Sequence, residues 1–452
     1  MIQHYKSMLQ EGAQIMLQNT RDIILTFNIV ESGLVQAVKR YSQEMGRPLY
    51  GLVFVDTVYA AKPNRKRDES GFFTEIICDS TNPSAIRQAL KPYRDRILAA
   101  TCRYDSAMDV FRRLIPFIPY CNTPTETSLL WATEKPLMRD QLASYDQSLV
   151  PMYQRIESNQ INGALELVKE FQFPVIVKPS GLSESLLVER CDTPAALMAC
   201  LKKTFAVIDK IYARERRSGQ PTVLVEEMMQ GDMFSVDAYV SLDGTVYCLP
   251  PIQVFTGHAM GMHGFYGFLR KTYTDLSPEQ LAACSRASEK AVKALGLRAV
   301  TTHIELFNTL DGWKIIEIAA RMGGYREQLY REAYGVDHYY NDLAVRLGYK
   351  PQLPDAAAKA YAACMHIYAE EEGEIEAING IEEVRALVST LSVVALLRPG
   401  DQASFSENGG KTIINGIFSH AERDKLDGDI AQARKSLAIV VKTPKGMNNV
   451  SE

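Results

Sequence analysis

Two apolar strands joined by a short loop constrain the fold of this chain more than any other segment. The loop Leu310-Asp311-Gly312 predicts a three-residue turn in which Gly312 takes a positive φ without strain. Counting outward along both strands from this loop places Glu305 directly opposite Glu317. Because strand side chains alternate between faces, both carboxylates are expected on one side of the same sheet.

Two carboxylates that oppose each other across a hairpin admit two interpretations. Like charges at opposed positions destabilise a strand pair by roughly 0.2–1 kcal/mol. A cation between Glu305 and Glu317 would remove that repulsion, and oxygen ligands of this kind suit Mg²⁺. The other interpretation is a solvated hairpin with two exposed acids, because short motifs also occur by chance.

Charged residues elsewhere in the chain favour the metal interpretation. Apolar strands ending in a lysine and in paired acids precede the hairpin, and a helix start carrying a lysine comes before both. In order, these residues are Lys135, Lys178, Glu226-Glu227, Glu305, Glu317 and Arg321. This ordered set resembles the ATP-grasp superfamily, and the resemblance covers roughly residues 20 to 440.

The resemblance implies an ATP-grasp fold of mixed α/β and α+β class, with a Rossmann-like amino-terminal domain and a β-rich carboxy-terminal domain. The expected domains are 1–125 (Rossmann-like), 126–215 (small lobe), 216–354 (large lobe with the metal site) and 355–452 (β-rich). Alternating strands and helices support the first domain, and short strands between glycine turns support the last. In the small lobe, the pattern predicts a helix over 162–171 and a strand over 185–189.

Composition excludes several functional classes. The 452 residues hold 50 Lys and Arg against 54 Asp and Glu, so no basic field for nucleic acid is expected. The eight cysteines are scattered without a Cys-x-x-Cys pair, which indicates free thiols in a reducing compartment. No run of 18 apolar residues and no signal pattern is present, so neither a membrane span nor secretion is expected. The sequence predicts a cytoplasmic protein.

The resemblance assigns ATP phosphate contacts to two lysines. Lys178, at the end of an apolar strand, would reach phosphate oxygens as a point charge, and Lys135 would do so from the other side. Each could also be a solvent-exposed lysine at a strand or helix end. The loop containing Ser180 and Gly181 would fold over the phosphates and donate N–H and hydroxyl groups.

The resemblance also implies an adenine pocket and a metal. The adenine hinge would comprise Glu226, Glu227 and Met229, with Ile176 and Leu306 on the two faces of the purine and Asp232 at the ribose. Ile176 and Leu306 could equally be core residues. The expected cofactors are ATP and Mg²⁺, with Mn²⁺ as an alternative. Ala319 stands where many members have a metal-binding asparagine, so the number of ions stays open.

Further residues are assigned to catalysis and to the substrates. Arg321 would stabilise charge on the transferring phosphoryl group. Arg326 could bind a substrate carboxylate through two N–H donors, with Gly324 beside it. It could also have a purely structural role on a helix face. A glycine-rich, aromatic loop at 255–268 is expected to line the acceptor pocket. The residues predicted there are His258, His263 and Tyr266, with His263 as a group that positions or deprotonates an amine.

These expectations together predict an ATP-dependent carboxylate–amine ligase that releases ADP, most similar to dipeptide-forming L-amino-acid ligases. A purine-pathway ligase and a nucleotide-binding regulatory protein without turnover are the alternatives. The expected partners are small-molecule carboxylates and amines, in particular amino acids, with a homodimer as one possible assembly and with neither nucleic acid nor membrane.

Overall fold

A computed structural model of the chain describes residues 20–180, 182, 186–214, 220–262, 264–354 and 358–442. Two residues of the predicted site, Gly181 and His263, lie outside these ranges. Within them, no helix is long and apolar enough to cross a membrane.

The amino-terminal region is a parallel sheet with strand order β3-β2-β1-β4, as a Rossmann-like domain requires. Its central strand consists of five buried residues, because helices cover both faces of such a sheet. The strands are β1 (Ile23–Phe27), β2 (Tyr50–Asp56), β3 (Phe73–Cys78) and β4 (Ile97–Ala100). The helices are α1 (Ser32–Glu44), α2 (Thr57–Ala60), α3 (Pro83–Leu90) and α4 (Asp105–Leu114).

A second, antiparallel sheet with order β5-β8-β6-β7 forms the small lobe. Its strands are β5 (Tyr153–Glu157), β6 (Val175–Pro179), β7 (Glu189–Cys191) and β8 (Thr222–Glu227). The helices here are α5 (Glu126–Thr133), α6 (Lys135–Tyr145), α7 (Ala164–Leu167) and α8 (Pro194–Arg214). The helix predicted over 162–171 is therefore wrong in extent, since only α7 is α-helical there. The strand predicted over 185–189 is wrong for residues 186–188, because β7 begins at residue 189, and residue 185 lies outside the described residues.

The largest sheet of the described residues has the order β14-β13-β9-β11-β12-β15-β19-β17, with β10 also pairing with β9. Its first strands are β9 (Asp232–Val240), β10 (Val246–Cys248), β11 (Ile252–Thr256), β12 (Gly267–Lys271), β13 (Val300–Thr309) and β14 (Gly312–Ala319). The helices that follow or interrupt them are α9 (Pro278–Ala294), α10 (Arg326–Tyr334) and α11 (His338–Leu347).

The carboxy-terminal residues extend this same sheet, because β12 pairs with β15. The strands that join it are β15 (Tyr361–Ile367), β17 (Thr390–Ala395) and β19 (Ile414–His420). A small separate sheet contains β16 (Gly373–Asn379), β18 (Gln402–Ala403) and β20 (Ala438–Lys442). Helices α12 (Ile381–Arg385) and α13 (Arg423–Ser436) complete the region. The large lobe and the carboxy-terminal region thus share one continuous β-sheet.

Candidate functional site

The hairpin of β13 and β14 brings the two predicted metal ligands face to face. Glu305 pairs with Glu317 across the strands, which confirms the predicted opposition. The loop is shorter than predicted, because Thr309 pairs with Gly312 and only two residues remain between them. One extra residue on β14, Ile316, forms a bulge that shifts the register back. Gly312 has a φ of +101°, so the positive φ predicted for it is confirmed.

Both carboxylates remain accessible from the cleft. About a third of each side chain is exposed, 32% for Glu305 and 33% for Glu317, so a small ion can reach their oxygens. His303 Nε2 lies 3.3 Å from Glu305 Oε1, and Lys135 Nζ lies 3.3 Å from Glu317 Oε2. Burial by itself raises the pKa of Glu305, but the hydrogen bond and charge of His303 outweigh it and lower that pKa to about 2.

A buried network fixes the position of His303. Asp237 accepts from His303 Nδ1 at 2.6 Å, from His338 Nε2 at 2.8 Å and from the Gly323 backbone N–H at 2.8 Å. Burial opposes charge on Asp237, yet the two imidazoles hold its pKa far below the usual range. This network was not predicted from the sequence. Alternation along β13 does place His303 on the face of Glu305, two residues away, and that signal was available.

On the small lobe, the predicted phosphate lysine is part of a buried ion cluster. Lys178 Nζ lies 2.5 Å from Glu226 Oε2, and Arg139 pairs with the other oxygen of Glu226. Only 1% of the Glu226 side chain is exposed. Burial raises its pKa, but the charges of Arg139 and Lys178 outweigh burial and lower it to about 2. Both carboxylate oxygens of Glu226 therefore bind cations, so only the backbone of this residue could contact adenine in the predicted hinge.

The segment that begins at Glu227, the last residue of β8, connects the two lobes, as expected for a hinge. Two of its backbone N–H groups already have partners: Glu227 N donates to Met152 O at 3.0 Å, and Met228 N donates to Pro174 O at 3.1 Å. The side chain of Glu227 accepts from Gln172 N at 2.9 Å. Met229 follows directly, and its assignment to the hinge stays a prediction.

The purine-facing role predicted for Leu306 is wrong, because this side chain points away from the cleft. Leu306 is fully buried in the core on the opposite face of the sheet from Glu305. Alternation places Phe307 on the face of Glu305, where it pairs with Met233 of β9. Ile176, the other predicted sandwich residue, shares its face of β6 with Lys178 and pairs with Glu226.

The ribose contact predicted for Asp232 is also wrong, because its side chain lies on the opposite face of the sheet from Glu305. Asp232 is exposed and pairs with Asn308, two residues beyond Leu306 on the face that Glu305 does not share. Its carboxylate therefore points to the wrong side of the sheet for a nucleotide bound beside Glu305.

Arg321 is held by the amino-terminal region. Its Nε donates to Asp105 Oδ1 at 2.6 Å, and its NH2 group contacts the second oxygen of the same carboxylate. Asp105 begins α4. Arg103 donates to the backbone oxygens of Met322 and Gly323 at 2.8 and 3.3 Å. A Cβ on Gly323 would lie 2.5 Å from a ring nitrogen of His303, so only glycine fits at this turn.

Lys135 crosses the cleft between the lobes. Besides Glu317, its Nζ contacts the backbone oxygen of Leu182 at 2.6 Å. Ser180 is 2% exposed, and its hydroxyl donates to Glu134 Oε2 at 2.6 Å, so this hydroxyl already has a protein acceptor. The phosphate contact predicted for Ser180 is therefore not supported by its side chain.

Arg326 lies fully buried at the start of α10. Its Nε and NH2 donate to Ser235 Oγ at 3.1 and 2.8 Å, and its NH1 donates to the Gly324 backbone oxygen at 3.0 Å. Gly324 itself has open space where a side chain would begin. A second arginine, Arg270 of β12, contacts His366 Nδ1 at 3.0 Å. Arg270 was not among the site residues predicted from the sequence.

The glycine-rich loop lies between the lobes and the carboxy-terminal region. His258 Nε2 lies 3.5 Å from the Arg190 guanidinium of β7. Tyr266 is 6% exposed, and its ring centroid is 4.1 Å from that of Tyr368 in the carboxy-terminal core. Tyr266 is thus a packing residue here, and its predicted contact with substrate has no exposed surface to support it. His263 lies outside the described residues.

Sequence comparison identifies the central domain. Residues 171–328 match the family described as the ATP-grasp domain. The uncharacterized protein y4rH of Sinorhizobium fredii is 26% identical over 186 residues, which is 40% of this chain. The match spans 36% of the length of that relative.

Solved structures share the fold over most of the chain. The L-amino acid ligase from Bacillus licheniformis has a TM-score of 0.74 at 18% identity, covering 94% of this chain and 100% of the other. Phosphoribosylglycinamide synthetase from Anaerococcus prevotii has a TM-score of 0.62 at 17% identity, covering 93% and 100%. N5-carboxyaminoimidazole ribonucleotide synthetase from Thermotoga maritima has a TM-score of 0.64 at 15% identity, covering 93% and 100%. The chain has the ATP-grasp fold, and its residues 171–328 match the ATP-grasp domain family.

Proposed function

We propose that this protein is an ATP-dependent carboxylate–amine ligase. A carboxylate attacks the γ-phosphorus of ATP and forms an acyl phosphate, with ADP as the leaving group. An amine then attacks the acyl carbon, so that an amide forms and phosphate leaves. The observation that carries the proposal is the opposition of Glu305 and Glu317 across the bulged hairpin, with Arg321 four residues further along on the same side of the cleft.

The two carboxylates fit a magnesium ion that arrives with the nucleotide. The described residues contain no group of three or more His, Cys, Asp or Glu side chains that could hold a metal alone. Mg²⁺ in such enzymes commonly uses one or two carboxylates together with substrate phosphates, which matches Glu305 and Glu317. When bound, the ion would neutralise phosphate charge. His303 lowers the pKa of Glu305 and so keeps this carboxylate ionised.

The remaining polar groups are arranged to receive a triphosphate and a developing charge. Lys178 and Lys135 approach from the small lobe and from α6, and both are partly buried. Arg321 is held rigid by Asp105, so its charge is already oriented before the reaction begins. Preorganised cations of this kind stabilise a transition state without reorganising during the step. Phe307 is partly exposed and offers an apolar surface for a purine, whereas Ile176 is only 8% exposed.

We propose more specifically that the ligase joins two amino acids into a dipeptide. It is supported by the higher TM-score to an L-amino acid ligase than to the two purine-pathway enzymes. The purine-type ligase remains the alternative enzyme, and a nucleotide-binding regulator remains the alternative without turnover. The presence of the two carboxylates, Glu305 and Glu317, and of Arg321 favours an enzyme over a regulator.

A single assay separates these candidates. The protein is incubated with ATP, Mg²⁺ and either pairs of amino acids or a phosphoribosyl substrate, and the released nucleotide and the products are identified by mass spectrometry. We expect ADP in step with an amide, and a hydroxamate when hydroxylamine replaces the amine. AMP would contradict an acyl phosphate. Tight ATP binding with no ADP from any pair would favour the regulator, and activity only with a phosphoribosyl substrate would favour the purine-type ligase.

A further inference from the structure

One residue of the β13–β14 hairpin has no partner on the neighbouring strand. Ile315 pairs with Leu306, and Glu317 pairs with Glu305. Ile316, between these two pairs, is the extra residue of the bulge. Because strand side chains alternate between faces, one extra residue shifts the phase of this alternation. The bulge therefore decides on which face of the sheet the side chain of Glu317 lies.

A regular ladder would not satisfy both halves of β14. If the pairing continued beyond Ile315 without a bulge, Glu317 would lie opposite Ile304, which is fully buried in the core. If the hairpin loop held the additional residue instead, Trp313 and Ile315 would turn from the core toward the cleft. These two side chains are 8% and 0% exposed. The bulge keeps both of them in the core and still places Glu317 opposite Glu305.

Helix α6 contacts the hairpin at this bulge. The NH2 group of Arg139 donates to the backbone oxygen of Ile316 at 2.8 Å. Because a bulge residue leaves the ladder, its backbone groups need partners from outside the strand pair. Lys135, one turn earlier on α6, lies 3.3 Å from Oε2 of Glu317. The helix thus contacts both the backbone of the bulge and the side chain of the residue that follows it.

The same arginine also binds the carboxylate that holds the predicted phosphate lysine. Arg139 Nε pairs with Glu226, and the other oxygen of Glu226 lies 2.5 Å from Lys178 Nζ. Arg139 is 2% exposed, and its NH1 nitrogen has no hydrogen-bond partner in the part of the chain that the structure describes. Burying an arginine with an unpaired nitrogen costs free energy. Stability alone therefore does not account for an arginine at this position.

We propose that Arg139 is a positioning residue for the metal site. It stabilises the bulge at Ile316 and thereby the phase of β14 in which Glu317 faces Glu305. Its bond to Glu226 ties that bulge to the carboxylate that holds the phosphate lysine. The inference rests on the proposed function, in which the two hairpin carboxylates bind the metal ion that arrives with the nucleotide.

Lysine separates the charge of Arg139 from its contact with the bulge. Arg139→Lys keeps a cation beside Glu226 but lacks the rigid planar fork that reaches two partners at once. Arg385→Lys is the matched control, because Arg385 also binds a glutamate, Glu382, and a backbone oxygen, that of Val393, at an exposed position on α12. Thermal unfolding and circular dichroism check the fold of each variant. Arg139→Gln keeps the test available if the lysine variant unfolds.

Metal binding is measured directly, by electron paramagnetic resonance of Mn²⁺ added to the protein with a non-hydrolysable ATP analogue. Arg139→Lys should weaken Mn²⁺ binding by about ten- to a hundredfold, the usual range for losing a group that orients a metal ligand. Its affinity for the analogue without metal should stay unchanged, because Glu226 still holds Lys178. Arg385→Lys should match the wild-type protein in both measurements.

Deletion of Ile316 tests the phase of β14 by itself. Without this residue, a regular ladder places Glu317 opposite Glu305 while the core residues of β14 keep their face. The deletion protein should therefore still bind Mn²⁺. Arg139→Lys should cause at most a small further loss in it, because the bulge that Arg139 contacts is gone and the two changes are not additive.

Three results would overturn the inference. The first is equal Mn²⁺ affinity of the wild-type protein and a well-folded Arg139 variant. The second is a folded Ile316 deletion that binds no Mn²⁺, and the third is an equal loss from Arg139→Lys with and without Ile316. Failure of the proposed function looks different, since the wild-type protein would then bind no Mn²⁺ with the analogue, or would bind it and form no amide.

Discussion

Lys178 Nζ lies 2.5 Å from Glu226 Oε2, inside a cluster where Arg139 contacts the other oxygen of the same carboxylate. One carboxylate thus carries two cations, so the cluster has surplus positive charge. A nucleotide phosphate can take up that surplus without leaving Glu226 unpaired, because Arg139 remains bound to it. This arrangement holds Lys178 ready for phosphate while keeping it in place when no nucleotide is bound.

Lys178→Ala should weaken ATP binding by about ten- to a hundredfold, since a charge-assisted phosphate contact is worth about 1.5–3 kcal/mol. Calorimetric titration with a non-hydrolysable ATP analogue and Mg²⁺ measures it. Lys169→Ala is the control, because Lys169 is exposed and pairs with Glu166 on the surface. Equal affinities for the wild-type and Lys178→Ala proteins would make Lys178 an ordinary strand-end lysine.

Glu226 should make stability depend on acid pH. Its pKa in the folded protein is about 2, against an ordinary value of 4.5, so its contribution is complete above pH 4.5 and is lost as the pH falls toward 2. The linked free energy is about 3 kcal/mol. Urea unfolding between pH 7 and pH 3 should show Glu226→Gln much less stable than wild type at pH 7 and closer to it at pH 3. Glu166→Gln is the exposed control, and parallel curves for Glu226→Gln and wild type would contradict the shift.

Phe307 and Leu306 are adjacent residues on opposite faces, and alanine should affect them differently. Leu306→Ala should lower the free energy of unfolding by about 2–5 kcal/mol, since it opens a core cavity. Phe307→Ala should instead weaken binding of the ATP analogue, by about tenfold, with a smaller loss of stability. Chemical denaturation and calorimetry on the same two proteins measure both effects. The reverse pattern would mean that Leu306 faces the nucleotide after all.

Glu317→Gln should reduce Mg²⁺-dependent ADP release by about two orders of magnitude or more while leaving the fold intact, because a metal contact of several kcal/mol is lost. Turnover is measured across a Mg²⁺ titration, with circular dichroism and thermal unfolding as checks of folding. Glu382→Gln, at an exposed glutamate, should match wild type. Near-normal turnover by well-folded Glu317→Gln would remove the metal assignment.

The opposition of Glu305 and Glu317 could be predicted because it depends on local pairing within one hairpin. Even so, the predicted and observed pairings differ in two ways that cancel. The observed loop is one residue shorter than predicted, and β14 contains one extra, unpaired residue, Ile316. Nothing in the sequence signals that bulge. In the structure, the backbone oxygen of the bulged Ile316 accepts a hydrogen bond from Arg139 NH2 at 2.8 Å.

The partners of the site residues were beyond sequence reasoning because they come from distant parts of the chain. Asp105 and Arg321 are 216 positions apart, and Arg139 and Glu226 are 87 apart. No periodicity within an element predicts such contacts. Strand alternation, in contrast, was sufficient to reject Leu306 and to select Phe307, and the error there lay in not applying it. The helix predicted over 162–171 starts late as α7, because its first two residues belong to a 3₁₀ segment at Ser158–Gly163.

The unbroken sheet that joins β12 to β15 has a consequence for how the cleft would close. The small lobe has its own sheet, so its movement over a nucleotide would leave the strand pairing of the large sheet unchanged. The spacing of hydrogen-bonded strands hardly stretches. The hairpin that carries Glu305 and Glu317 and the carboxy-terminal strands would therefore stay fixed against each other, as one rigid wall toward which the small lobe moves.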